Sequence, residues 1–225
     1  MIPALAPVLA LFYPSTCVVC EDVLVSGEEY ICTRCRRDLP YSYAGHPELE
    51  LKFAGVCRID PVYSLFHYHR ESRYKNLIYN IKYYGNKNLG VFIGKLLGEK
   101  IKGKVAAEII LPVPLHRKRE RKRGFNQSAQ IARGISSVLH LPVREDVIRR
   151  VCNNPSQTGL NSGERTKNVE NIFAIEAREL LAGKHVLLVD DVVTTGATLT
   201  SCLKELGTVP GIRVSVACLA YARFA

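Results

Sequence analysis

HVLLVDDVVTTGATL, residues 185–199, is the stretch that decides the fold. Its opening apolar run, His185 to Val189, predicts a strand buried on both faces. Asp190 and Asp191 follow as an acidic turn. Thr194, Thr195, Gly196, Ala197 and Thr198 make a small, hydroxyl-rich loop. Leu199 to Leu206 then repeats apolar residues at helical spacing, and Gly207 fits the helix stop. The order is strand, acidic turn, loop, helix.

That order suits a sugar phosphate. A helix N-terminus offers unpaired N–H groups and the positive end of a dipole. The threonine hydroxyls add donors, and Gly196 lets the backbone come close to an anion. The two carboxylates repel phosphate, but they suit a neighbouring diol or a Mg²⁺ held partly through water. The bland alternative is an acidic strand end followed by a capped helix.

Working outward, Glu108 to Pro114 predicts a second buried strand, with Pro112, Val113 and Pro114 in a proline-stiffened turn. His116 to Arg123 continues that turn, with six cations: Arg117, Lys118, Arg119, Arg121, Lys122 and Arg123. A charge run is commonly a solvated face. Here it follows a strand end, where ligands of open α/β sheets collect, and it would suit a diphosphate. Asn126 is the expected cap of a helix with Ile131, Ile135, Val138 and Leu139 on its core face. Tyr63 to Tyr68 alternates like a strand, Gly211 to Ala220 supplies the last one, and Pro142 to Val151 reads as another. Asn171 to Ile175 suggests a short strand. Arg73 to Lys82 and Asn88 to Ile101 predict two helices broken at Gly85-Asn86. Asn153 to Asn168 is polar and nearly free of core residues, as in a lid; its Gln157, Arg165 and Lys167 could close on an anion.

The formal net charge of +10 is unevenly spread. Residues 1–60 hold five Lys/Arg against eight Asp/Glu, whereas residues 61–111 hold nine against three and residues 112–168 twelve against four. The middle of the chain is therefore suited to anions, diphosphate or nucleic acid. Tyrosines and cations interleave between Tyr63 and Lys87, Lys82 among them, a pattern that can stack bases and neutralise phosphates. The plain alternative is an amphipathic helix hairpin with half-buried tyrosines.

Cys17, Cys20, Cys32 and Cys35 form two CxxC pairs. Four thiolates at this spacing can close a tetrahedral shell around a structural Zn²⁺, with no position left open for catalysis. Cys57, Cys152, Cys202 and Cys218 show no ligand spacing and are expected as small buried thiols. Residues 38–60, broken by Pro40, Gly45, Pro47 and Gly55, read as a connector without regular structure. The expected division is a zinc-binding module and connector over 1–59 and an α/β domain over 60–225, with the domain's core independent of the cysteines. No apolar run reaches membrane-spanning length. The start, MIPALAPVLALFYP, has no basic n-region and three prolines, so the expected location is cytoplasmic, with thiols reduced.

LLVDDVVTTGATL resembles the 5-phosphoribosyl-1-diphosphate (PRPP) signature of type I phosphoribosyltransferases. The resemblance implies that Asp190 and Asp191 hold the ribose hydroxyls and that Thr194 to Thr198 cradle the 5′-phosphate. Together with the CxxC pairs, Lys82, PVPLH at 112–116, RGFNQ at 123–127, Gln157-Thr158, Glu164-Arg165 and Asn168, the chain resembles the ComF family. That family implies a doubly wound parallel α/β sheet behind an N-terminal zinc motif, and a link to natural transformation. The implied activity is pentosyl transfer from PRPP, assisted by Mg²⁺, with Asp190, Asp191 and Arg165 as the catalytic set. Pro112, Val113, Pro114 and Arg123 would join the PRPP site, while Arg117, Lys118, Arg119, Arg121, Lys122 and Lys82 would meet single-stranded DNA. A DNA-uptake helicase or another competence protein is the implied partner. The segment around Gln157 and Arg165 also resembles the loop that closes over PRPP in amidophosphoribosyltransferases.

Overall fold

A computed structural model of the 225-residue chain describes residues 14–42, 47–69, 71–151 and 172–222. Four strands form one parallel sheet: β1 (Ile59–Tyr68), β2 (Ile109–Pro112), β5 (His185–Val193) and β6 (Arg213–Ala222), in the order β1-β6-β5-β2. β5 and β6 are central, so both of their faces are covered. Leu187 and Val189 enter one core while Val186 and Leu188 enter the other. This is why the run reads as uninterrupted hydrophobicity rather than alternation.

The first core lies under α3 (Lys75–Tyr83), α4 (Lys87–Ile101) and α6 (Gln127–Leu139). Asn86 caps α4 by accepting from the Leu89 N–H, and Asn126 caps α6 by accepting from the Ser128 N–H, as its sequence predicts. α4 and α6 cross at Gly94 and Gly134, where a Cβ on either would overlap the other helix's backbone. The second core lies under α2 (Pro47–Phe53) and α7 (Ala197–Leu206), with a separate antiparallel pair, β3 (Ile148–Arg150) and β4 (Phe173–Ile175). Helices therefore cover both faces, as a doubly wound sheet requires.

Four expectations need correction. The supposed connector contains α2, whose Leu49 and Phe53, four residues apart, are fully buried. The strand expected over 142–151 is two pieces: Val143 bridges Ile110 in parallel, whereas β3, among the described residues, pairs with β4. The basic turn after β2 becomes a short helix, α5 (Arg117–Arg123), capped by His116 and closed by Gly124 in the left-handed region. β5 continues to Val193, so the acidic pair lies within the strand and not in a turn.

The cysteine module, which carries the short helix α1 (Thr33–Arg37), is not independent either. Cys17, Val19, Ile31, Cys35 and Leu39 pack into the same core as Tyr74, Leu77 and Ile78. Tyr74 donates to the Cys35 carbonyl at 3.2 Å, and the rings of Tyr30 and Phe92 lie 5.4 Å apart. The chain at 40–42 runs beside β1, with the Ser42 N–H donating to the Leu65 carbonyl and the His67 N–H to the Pro40 carbonyl. So small a module gains apolar burial only by leaning on its neighbour.

Candidate functional site

Four sulfurs meet at the amino-terminal end. The ligand atoms of Cys17, Cys20, Cys32 and Cys35 all lie within 4.8 Å of one another, and those of Cys20 and Cys32 are 3.7 Å apart. A tetrahedron of Zn–S bonds about 2.3 Å long has sulfurs roughly 3.8 Å apart, so this spacing fits zinc. Two donors already point at the cluster: the Cys32 N–H reaches the Cys17 sulfur at 3.3 Å and the Cys35 N–H the Cys32 sulfur at 3.4 Å. Such bonds orient thiolates for a metal. Of the other cysteines, Cys202 and Cys218 are buried, Cys57 is half-buried, and Cys152 lies outside the described residues.

The second site forms where β5 ends. Ser128, in the first turn of α6, donates from Oγ to Asp190 Oδ1 at 3.0 Å, and the Asp191 N–H donates to the same oxygen at 2.9 Å. Asp191 Oδ1 accepts from the Val192 N–H at 2.6 Å and lies 3.1 Å from the Lys82 ammonium. Burial, and next the charge of Asp191, push the Asp190 carboxyl from 3.8 up to about 7; the Asp191 N–H, Lys82 and Ser128 pull the other way. Lys82 was expected among the nucleic-acid cations. Its side chain is only 21% exposed and turned inward, because it follows Ile78 and Ile81 on the buried stripe of α3.

RGFNQ ties this pair to β2. Asn126 Nδ2 donates to the Val113 carbonyl at 3.1 Å, and the Val113 N–H donates to the Val189 carbonyl. Arg123 donates to Gln127 Oε1 at 2.9 Å and lies 5.9 Å from the Tyr83 ring. Pro112, Val113 and Pro114 thus flank the acidic pair, since Pro112 is in register with Val189. Arg117, Lys118, Arg119, Arg121 and Lys122 stay exposed on α5. The tyrosines of α3 and its two caps divide: Tyr74 is buried, whereas Tyr79, Tyr83 and Tyr84 are exposed. Half-burial therefore does not describe them.

Beyond the pair, Thr194 and Thr195 are exposed, and Gly196 enters α7 at a φ of +84°. The Thr195 hydroxyl lies 3.4 Å from the Ala197 N–H, and no side chain of the N-cap residue closes the helix. Asp190 and residues 192–199 line a small hollow there. Open first-turn N–H groups beside two carboxylates match the two ends of a sugar phosphate. Arg165 lies outside the described residues, as do Gln157 and Lys167 and the polar segment that carries them.

Two further contacts were not read from the sequence. Ser128 sits directly after a recognisable cap, but its partner is 62 residues away. Lys52 of α2 donates to the Thr194 carbonyl at 3.2 Å. Only the spacing of Leu49 and Phe53 hinted at a helix there.

Two outcomes follow from this geometry. Elemental analysis of reduced protein should find one zinc per chain, lost in the Cys32→Ser, Cys35→Ser double variant; the loss should also lower the midpoint of the whole domain's unfolding, because the core is shared. With its carboxyl raised to about 7, folded Asp190 keeps up to near-neutral pH a proton that the unfolded chain releases from about pH 4. Its contribution therefore falls as pH rises from about 4 to 7. Thermal melts of ligand-free protein between pH 5 and 8 should show this decline, and Asp190→Asn should flatten it and raise the midpoint at pH 8.

A family model described as phosphoribosyl transferase domain matches residues 122–223, and one described as double zinc ribbon domain matches residues 8–47. Competence protein F of Haemophilus influenzae is 27% identical over 212 residues, 87% of this chain and 92% of that protein. DNA utilization protein YhgH of Salmonella typhi is 29% identical over 228 residues, 94% of this chain and 92% of that one. Competence protein ComFC of Bacillus subtilis is 36% identical over 102 residues, 44% of this chain and 39% of that one. With the four-sulfur cluster at one end and the strand, acidic pair and helix start at the other, the chain is similar to the ComF-type competence and DNA utilization proteins and joins a segment that matches a phosphoribosyl transferase domain to one that matches a double zinc ribbon.

Proposed function

We propose that the chain binds PRPP with Mg²⁺ at the carboxyl end of β5 and acts in the handling of single-stranded DNA during natural transformation, in the cytoplasm. The observation that carries the PRPP reading is the part-buried acidic pair standing directly before the start of α7, whose N-cap residue is a glycine with no side chain to close it. Asp190 and Asp191 take the ribose hydroxyls and orient the ring. Residues 194–198 take the 5′-phosphate through backbone N–H groups and the threonine hydroxyls. The Pro112–Pro114 turn and Arg123 face the diphosphate.

If turnover occurs, a nucleophile displaces diphosphate from C1′. The new bond forms at C1′ as the C1′–O bond breaks, and the nucleophile's proton passes to solvent or base. Bound Mg²⁺ would supply charge stabilisation for the leaving diphosphate. Arg123, and Arg165 in the segment that resembles a PRPP loop, would stabilise the same charge. Asp190→Asn with Asp191→Asn removes the charges while nearly keeping volume. Each hydrogen bond lost to a charged group costs on the order of 1.5–3 kcal/mol. Calorimetry should therefore show PRPP binding weakened ten- to hundredfold for each such bond, with inorganic phosphate spared. Wild-type protein without Mg²⁺-dependent PRPP binding would defeat the reading.

The DNA part rests on the exposed cations of α5 and on the exposed rings of Tyr79, Tyr83 and Tyr84. The names of the relatives, competence and DNA utilization proteins, agree with it. Binding to single strands should fall with salt and ignore sequence. In Arg117→Ala, Arg119→Ala, Arg121→Ala the slope of log affinity against log salt should flatten by about 0.7 for each phosphate no longer neutralised; an unchanged slope would remove α5 from the interface.

A further inference from the structure

All of α2 beyond its first residue lies outside both segments that the family models match, yet the helix is built against the phosphate loop. Leu49 and Phe53 are fully buried and fix the helix to the second core. The Phe53 ring packs under Gly196 so closely that a Cβ there would lie 3.1 Å from Cε1; the Lys52 stem passes 4.0 Å from the same point. The Lys52 ammonium has two anchors. It donates to the Thr194 carbonyl at 3.2 Å, and it stands 5.5 Å from the centre of the Tyr221 ring. An ammonium has three donors, and the Thr194 carbonyl takes one. The residue remains exposed, so the others are open to solvent and to anions.

From these contacts we infer that Lys52 is a ligand of the phosphate monoester, a wall of the cradle supplied from the segment before β1. This rests on the phosphoribosyl reading above. A phosphate on the first turn of α7 meets backbone N–H groups and hydroxyls, all neutral; Lys52 brings a full positive charge to the rim of that loop. Its anchors hold the ammonium in place before the ligand arrives, which reduces the ordering cost that a long flexible side chain otherwise carries. The preference conferred is for phosphorylated ribose over ribose itself.

The test is calorimetric titration with ribose 5-phosphate and with inorganic phosphate, at fixed ionic strength, of wild type and three variants. Lys52→Met should weaken both ligands about tenfold. Lys52→Arg should restore most of the affinity. Lys52→Gln keeps an amide donor for the Thr194 carbonyl but no charge, and should behave like Met; circular dichroism should show all three folded as wild type. If wild type binds ribose 5-phosphate and either Met or Gln binds it equally well, Lys52 is no phosphate ligand and the phosphoribosyl reading stands. If wild type binds neither phosphate nor ribose 5-phosphate, both fall together.

Discussion

Two neighbouring carboxylates are held partly out of water at the carboxyl end of the central strand. Adjacent like charges raise each other's energy, and removing an ion from water costs several kcal/mol in a real protein. Asp190 and Asp191 are tolerated because each has partners placed in advance: Ser128 and a backbone N–H for the first, Lys82 and a backbone N–H for the second. Those partners come from α6 and α3. The chemistry at the tip of β5 therefore constrains two helices that are far from it in sequence.

The constraint passes on through packing. Ser128 can reach Asp190 only if α6 lies low on the sheet, and α6 is in turn seated against α4 at the Gly94–Gly134 crossing. No methyl group fits between those backbones. Asn126 adds a second tether, since one side chain both caps α6 and grips the Val113 carbonyl at the end of β2. The site's shape thus depends on residues that would never touch a ligand.

Much of this was legible in sequence where the physics is local. A strand covered on both faces must be apolar throughout, a helix start beside a phosphate needs small residues, and a zinc knuckle needs two cysteines within one turn. Those rules find β5, the small-residue turn at 194–196 and the four thiols, although α7 already begins at Ala197 and not at Leu199. They fail where tertiary placement decides. Pro47 and Gly55 mark breaks, but they say nothing of the helix between them, so α2 and Lys52 were missed. The charge of Lys82 suggested solvent, although its place beside Ile78 and Ile81 on the helical stripe pointed inward. Neighbouring proline and six cations suggested a turn at 117–123, where a His116 cap and a Gly124 stop make a helix instead.

The Tyr74 hydroxyl, resting on the Cys35 carbonyl, bears on how such a chain can be divided. In sequence the ribbon looks like a detachable module, and shuffling of modules between proteins is easily imagined. In space the ribbon and α3 share one hydrophobic core, so neither half carries a finished surface. Cutting between them would bare Tyr74, Leu77 and Ile78 on one side and Val19 and Ile31 on the other. A graft of this ribbon onto a foreign domain would have to bring the facing surface of α3 with it. The modular unit, in the sense of what can be inherited or transplanted whole, is therefore the ribbon together with the helix beneath it.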